Sequence, residues 1–159
     1  MKQVEINKQA KLSPHFTLGE LTGSKSHPEV YNVPSHVHIE NLKRVCVWLE
    51  ALRERYNQRY VLAGAGEPII ITSGYRSAEL NRKVGGVATS NHLTGCAVDI
   101  RVAGKEQLIR YACILLDYAD ETKQDFDEIL LERGANGGIW LHFAVRAQGN
   151  RQKINFLKA

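Results

Sequence analysis

Residues 90–99 read SNHLTGCAVD, and this stretch decides how the rest of the chain is interpreted. It joins His92 to Asp99 through a glycine and a short apolar run. From the cysteine onward the side chains alternate, so Val98 and Ile100 share one face of a predicted strand and Asp99 lies on the other. The pattern therefore predicts a loop containing His92 that leads into a strand, with Asp99 on the less apolar face of that strand.

A second histidine, His142, interrupts another strand-like apolar run, which reads WLHF over residues 140–143. A buried carboxylate without a partner costs several kcal/mol, so Asp99 in an otherwise apolar strand requires a cation nearby. Imidazole nitrogens and a carboxylate oxygen are ligands that zinc takes at about 2 Å. A lone histidine in a strand is usually structural, and His92 with Asp99 would not suffice alone. His142 is the candidate for a third ligand.

The pattern Ser-x-His-x-x-Gly-x-Ala-x-Asp, followed by Trp-x-His, resembles the zinc D-Ala-D-Ala metallopeptidases of bacteria and their phages. These enzymes share their fold with the hedgehog signalling domain and the lysostaphin-type peptidases. The resemblance extends from about Phe16 to Val145. It implies that His92, Asp99 and His142 bind one catalytic Zn²⁺. It also implies an α+β, hedgehog/DD-peptidase-like fold with a small, mostly antiparallel sheet and flanking helices.

Two further positions match the same enzymes. Residues 73–77, SGYRS, resemble the segment whose arginine donates to a substrate carbonyl or carboxylate oxygen near the metal. The resemblance makes Arg76 a catalytic and substrate-binding candidate, and Tyr75 and Ser90 substrate-binding candidates. A guanidinium suits this role because it is always charged and binds oxygen pairs through a planar fork. The alternative is that Arg76 forms an ordinary ion pair with a structural carboxylate.

The reaction also needs a general base to take a proton from the attacking water. Related enzymes use Glu, Asp or His, often a few residues before the last ligand, but the residue three before His142 is an isoleucine. Residues 126–132, FDEILLE, resemble the branch of the family in which a glutamate closes this strand, so Glu132 is the candidate. Glu128 and Asp127 remain alternatives. A solvated glutamate at a strand end is the structural alternative for Glu132.

The resemblance implies zinc-dependent hydrolysis of an amide bond in the peptide stem or cross-bridge of peptidoglycan, by a carboxypeptidase or an endopeptidase. The alternative is a catalytically silent, zinc-containing module that binds cell wall or protein. We expect a monomer that acts at the bacterial cell wall or periplasm, with no nucleic-acid partner. The opening residues, MKQVEINK, lack the apolar core of a signal peptide, as in a phage lysin or after trimming of a leader.

Length and composition predict one domain. The 159 residues and 43% hydrophobic content can fill a single core, and no run approaches the roughly 20 apolar residues of a membrane span. The net charge of +4 suits contact with anionic cell wall without requiring it. The predicted organisation is an N-terminal arm at 1–15, a single zinc peptidase domain at 16–148 and a basic, solvated C-terminal tail at 149–159.

The pattern of apolar residues predicts three helices and four strands between residues 35 and 146. The helices are a long one capped by Ser35 and running to Tyr56, a short one at 78–83 and a long one at 104–118. The predicted strands cover 68–72, 96–102, 126–132 and 139–146, and the last two form a hairpin. All three cysteines are predicted to be buried and free of disulfides: Cys46, Cys96 and Cys113.

Overall fold

The structure is a computed structural model that describes residues 3–64 and 66–158. It confirms an α+β fold with a small sheet and helices. None of the helices in the described part of the chain is long and apolar enough to cross a membrane. In chain order the elements are β1 (Lys11–Ser13), β2 (Phe16–Thr17), α1 (Leu18–Thr22), α2 (His36–Tyr60), β3 (Ile71–Ser73), α3 (Ala78–Lys83), a 3-10 turn (Asn91–Thr94), β4 (Ala97–Arg101), α4 (Lys105–Thr122), β5 (Glu128–Arg133), β6 (Ile139–Ala144) and β7 (Lys153–Lys158).

The main sheet has five strands in the order β3-β4-β6-β5-β7. All neighbours are antiparallel except β5 and β7, which run parallel. Because side chains alternate along a strand, the sheet separates an apolar face from a polar one. The apolar face belongs to the same core as α2 and α4, and its central residues are fully buried: Val98, Ile100, Ile129, Leu141 and Phe143. The other face carries the candidate site residues of β4, β5 and β6.

The long helix α2 begins where its sequence predicts. The hydroxyl of Ser35 accepts a hydrogen bond from the backbone N–H of His38, and the His38 ring accepts one from the backbone N–H of Ser35. This reciprocal capping satisfies two helix-end donors that would otherwise lack partners. The cap fixes the start of α2 beside the turn that carries His92.

Both chain ends differ from the predicted arm and tail. In the arm, residues Lys11–Ser13 form β1, which pairs with β2, and the carboxylate of Glu50 in α2 accepts hydrogen bonds from Ser13 and from the backbone of His15. In the tail, Lys153–Lys158 form β7 and cover the edge of β5. Most side chains of this segment are exposed, as expected of a solvated tail, but its backbone pairs with β5, which a charge count does not predict.

Two smaller predictions also need correction. The predicted strand at 68–72 is displaced, since only Ile71–Ser73 pair with β4, through an irregular register. Cys46 and Cys96 are buried as predicted, but Cys113 is exposed. Cys113 lies on the side of α4 away from the stripe that contains Ala112 and Leu115, so the helix turns its thiol toward solvent.

Candidate metal centre

The register of the sheet places two candidate ligands side by side. Asp99 of β4 is paired directly with His142 of β6. Their side chains therefore leave the same face of the sheet at neighbouring positions. Neither strand alone predicts this contact, because it depends on how β4 and β6 are aligned.

The third candidate, His92, is held by a short capped turn. The Ser90 hydroxyl accepts a hydrogen bond from the backbone N–H of His92, at 3.2 Å, and Gly95 ends the turn with a φ of +75°. A Cβ atom on Gly95 would lie 2.6 Å from the backbone oxygen of His38. The glycine of the motif is therefore required both by its left-handed conformation and by its close approach to α2.

One ligand atom from each of His92, Asp99 and His142 lies within 4.8 Å of the other two. His92 Nε2 is 3.3 Å from Asp99 Oδ1, and His142 Nδ1 is 3.1 Å from the same oxygen. All three residues are buried. The structure thus brings together the three residues that the sequence predicts as metal ligands.

The outward-facing nitrogens of both rings have acceptors. His92 Nδ1 is 2.7 Å from the carbonyl oxygen of Gly74, and His142 Nε2 is 3.1 Å from Glu128 Oε1. A carbonyl oxygen only accepts, so His92 carries its proton on Nδ1. Burial lowers the pKa of His142, but its contacts with Asp99 and Glu128 outweigh this effect and raise the pKa to about 9. A metal ion at this place would replace the proton on Nδ1, so that two nitrogen lone pairs and the Asp99 carboxylate face one small space. A metal ion satisfies all three groups, and metal-binding histidines commonly have such outer partners.

The charges at the centre favour cation binding. Burial alone would raise the pKa of Asp99, but His92 and His142 outweigh this effect and lower the pKa below its usual value. Asp99 is therefore an ionised carboxylate in a buried position. Its second oxygen, Oδ2, accepts a hydrogen bond from Arg76 Nη2 at 3.2 Å.

Arg76 is fixed by two further contacts. Its Nε donates to the Ser73 hydroxyl at 2.9 Å and its Nη1 to Asn81 Oδ1 at 3.3 Å. Burial lowers the pKa of Arg76, and the charges of Asp99 and Glu132 partly offset that effect. The ion pair of the structural alternative is therefore present, but its partner is a metal-ligand candidate. Two of the five guanidinium N–H groups remain for another acceptor, so a role toward substrate stays a prediction.

The other two substrate-binding candidates have structural contacts of their own. Tyr75 is buried, and its ring stacks on that of His38 with the centroids 4.7 Å apart. Ser90 uses its hydroxyl oxygen to cap the turn, which leaves its hydrogen for another acceptor. Their contacts with substrate remain predictions.

Glu132, the candidate base, lies on the same sheet face as His142 and opposite Trp140. It is half-buried. Burial and the charge of Asp99 raise its pKa above the usual value. The indole Nε1 of Trp140 is buried and has no hydrogen-bond partner of normal geometry within the described residues. The charge of Asp99 therefore raises the pKa of Glu132 and opposes the lowering of the pKa of Arg76, because both residues lie near it.

The two alternative bases, Glu128 and Asp127, take part in a hydrogen-bond network that sequence reasoning missed. Glu128 accepts hydrogen bonds from Asn91 and His142, and Asp127 accepts two from the guanidinium of Arg151. Asn91 stands at an unspecified position of the motif and Arg151 lies in the predicted tail. Only the three-dimensional arrangement relates these residues to the site.

Comparison with known proteins agrees with the ligand cluster. The sequence profile of a family described as Peptidase M15 matches residues 14–115, more than half of the chain. A search of curated proteins found no match. The matched segment contains Arg76, His92 and Asp99 and ends within α4, whereas His142 completes the cluster from β6. Family and cluster together support a metallopeptidase. The chain belongs to the peptidase M15 family.

Proposed function

We propose that the protein is a zinc-dependent peptidase that hydrolyses an amide bond in the stem or cross-bridge of peptidoglycan. The observation that carries this proposal is the convergence of His92 Nε2, Asp99 Oδ1 and His142 Nδ1 on one site. Two imidazoles and one carboxylate suit zinc, and three protein ligands leave the fourth tetrahedral position open, as in catalytic sites.

Zinc bound by these residues would supply a Lewis acid and a water whose pKa falls to about 7. The chain itself must then accept a proton from this water and hold the substrate carbonyl. Glu132 is the proton acceptor in this proposal, because its raised pKa brings its proton affinity closer to that of the activated water. Arg76 has two guanidinium N–H groups that do not bond to Ser73, Asn81 or Asp99. In this proposal they donate to the substrate oxygen and stabilise its negative charge.

Glu128 and Asp127 suit the role of base less well. Burial would raise the pKa of Glu128, yet hydrogen bonds from His142 and Asn91 lower it below its usual value. Burial would likewise raise the pKa of Asp127, and its bonds to Arg151 and Asn91 lower it. Carboxylates held ionised by several donors are weak proton acceptors. This difference supports Glu132 over both alternatives.

The proposed substrate and place of action rest on the resemblance of the motifs to cell-wall peptidases. The mild positive charge of the chain is compatible with work on an anionic wall. We propose that the enzyme acts there as a monomer. The proposal has two variants. The enzyme is a carboxypeptidase that removes a terminal residue, or an endopeptidase that cuts inside a cross-bridge.

Digestion of purified peptidoglycan tests the proposal. Purified protein with zinc is incubated with intact wall and with soluble muropeptides, and the products are identified by mass spectrometry. We expect new fragments whose termini reveal the cut bond, and none after addition of a chelator or with His142→Ala. A protein that binds zinc and wall but releases no fragment would contradict the proposal and support the silent binding module.

A further inference from the structure

We propose that Glu128 is a positioning residue that orients His142 toward the metal, and that Arg151 holds Glu128 in place. Arg151 belongs to the segment after β6, outside the part of the chain that matches the family. The inference rests on the proposed function, since it concerns the metal that His142 would bind. It gives Glu128 a role different from that of a general base.

The first step is the contact between Glu128 and the outer nitrogen of His142. Glu128 Oε1 lies 3.1 Å from His142 Nε2 and accepts a hydrogen bond from Asn91 Nδ2 at 2.6 Å. A carboxylate at this place fixes the proton of the neutral ring on Nε2. It thereby leaves the Nδ1 lone pair facing Asp99 and the metal position. The ring's other polar contact, from Nδ1 to Asp99 Oδ1 at 3.1 Å, would by itself place the proton of the neutral ring on Nδ1.

The second step is the way Arg151 holds this part of β5. Its Nε and Nη2 donate to the two oxygens of Asp127 at 3.0 and 2.8 Å, and its Nη2 is 3.5 Å from Glu128 Oε2. The backbone N–H of Arg151 also donates to Asp127 Oδ1. The Asp127 side chain is fully buried, and Arg146 Nε also lies 3.2 Å from its Oδ2. Loss of Arg151 would remove the bidentate partner of this buried charge and leave it with one arginine contact. Arg151 therefore constrains both neighbouring carboxylates.

The third step is Asn91, which connects this network to the other histidine. It precedes His92 in the turn, and its Nδ2 donates to Asp127 Oδ2 at 2.7 Å as well as to Glu128. Its Oδ1 accepts from Arg146 Nε at 2.9 Å. One amide thus spans β5, the segment after β6 and the turn that carries His92. The network therefore contacts His142 through Glu128 and the turn of His92 through Asn91, although none of its side chains is itself a metal-ligand candidate.

Zinc affinity tests the proposal with a matched pair of variants. Arg151→Gln removes one positive charge from the network, and Lys158→Gln removes one from an exposed position at the far end of β7. Dissociation constants are measured by competition with a chromophoric chelator on the full chain. We expect Arg151→Gln to weaken zinc binding roughly tenfold and Glu128→Ala roughly 10- to 100-fold, the usual range for outer partners of metal ligands. Lys158→Gln should bind zinc like the wild type.

Histidine NMR separates positioning from general destabilisation. In the zinc-loaded, ¹⁵N-labelled protein we expect His142 to carry its proton on Nε2 and to exchange it slowly with water. Glu128→Ala should speed this exchange while the His92 signal stays in place. Glu128→Gln keeps an acceptor oxygen and should recover part of the affinity. Melting temperatures of the metal-free variants establish that each is folded.

The outcomes are distinguishable. If the wild type binds zinc and the folded Glu128 variants bind it equally well, the positioning role is wrong even though the proposed metal site holds. If Arg151→Gln is folded and matches Lys158→Gln in affinity, Arg151 has no part in that role. If the wild type itself binds no zinc, the proposed function fails and this inference fails with it.

Discussion

The two ends of β5 place the same residue type in opposite environments. Glu128 and Glu132 lie four residues apart on one face of the sheet, and both side chains are largely shielded from water. At the first end, hydrogen bonds outweigh burial and lower the pKa of Glu128. At the second end, burial and the charge of Asp99 raise the pKa of Glu132. The strand gives both carboxylates the same direction, but their neighbours give them opposite proton affinities.

The difference shows how a single strand can support two tasks. An ionised carboxylate held by several donors is suited to orienting a metal ligand. A carboxylate with a raised pKa is suited to accepting and returning a proton. Substitutions at either glutamate, or at the groups beside them, should therefore separate the two tasks.

The largest effect is expected from Asp99→Ala, which removes the carboxylate of a proposed metal ligand. Zinc should fall from about one ion per chain to none and hydrolysis should disappear, because two histidines do not complete a catalytic site. His92→Ala and His142→Ala should behave alike. Elemental analysis after dialysis provides the measurement, with circular dichroism to check the fold. Stoichiometric zinc in all three variants would show that the ligands are wrongly assigned.

Glu132→Gln tests the proposed general base near the C-terminal end of β5. The amide is nearly isosteric and is not a proposed ligand, so zinc content should remain unchanged. Turnover of peptidoglycan fragments should fall roughly 10²-fold or more, the usual contribution of a general base. Glu128→Gln, assayed at saturating zinc, is the matched control and should retain most of its turnover. The reverse ranking of the two variants would transfer the role of base to Glu128.

Arg76→Lys tests the guanidinium that donates a hydrogen bond to Asp99 Oδ2. Lysine keeps the charge but lacks the planar fork, so it cannot reproduce the contacts of Arg76 with Ser73, Asn81 and Asp99. We expect a loss on the order of 2–4 kcal/mol in transition-state stabilisation, measured as kcat/KM at saturating zinc. If Arg76 forms only an ordinary ion pair, its replacement by lysine should lower the stability by under about 1 kcal/mol and leave turnover intact.

The smallest effect concerns pH. A general base works only when ionised, so activity should rise with pH as Glu132 loses its proton. Because the pKa of Glu132 is raised, this acidic limb should lie above the value of about 4.3 that is usual for glutamate. The profile of kcat/KM against pH for the wild type and for Glu132→Gln provides the test. A limb that persists unchanged in Glu132→Gln belongs to another group.

Local patterns were sufficient to predict much of the site. Alternation along β4 and β6 places Asp99 and His142 on the polar faces of their strands, as the structure confirms. The N-cap of α2 at Ser35 follows from the same kind of short-range signal. These predictions succeed because each depends on residues a few positions apart.

The remaining features depend on contacts across long stretches of chain. No local pattern indicates that Arg151 would reach Asp127, or that Asn91 would bridge Asp127 and Glu128 where β5 begins. The parallel pairing of β7 with β5 is equally non-local. The environment that distinguishes Glu128 from Glu132 therefore becomes visible only once the sheet and the segment after β6 are assembled.

Hydrolysis of peptidoglycan fragments as a function of zinc concentration separates the positioning role of Glu128 from the proton-accepting role of Glu132. The assay compares the wild type, Glu128→Ala and Glu132→Gln. We predict that Glu128→Ala needs roughly 10- to 100-fold more zinc for half-maximal activity but approaches the wild-type plateau. Glu132→Gln should need the same zinc concentration as the wild type and reach a plateau roughly 10²-fold lower. A changed plateau with an unchanged midpoint for Glu128→Ala, or the converse for Glu132→Gln, would contradict this division of roles.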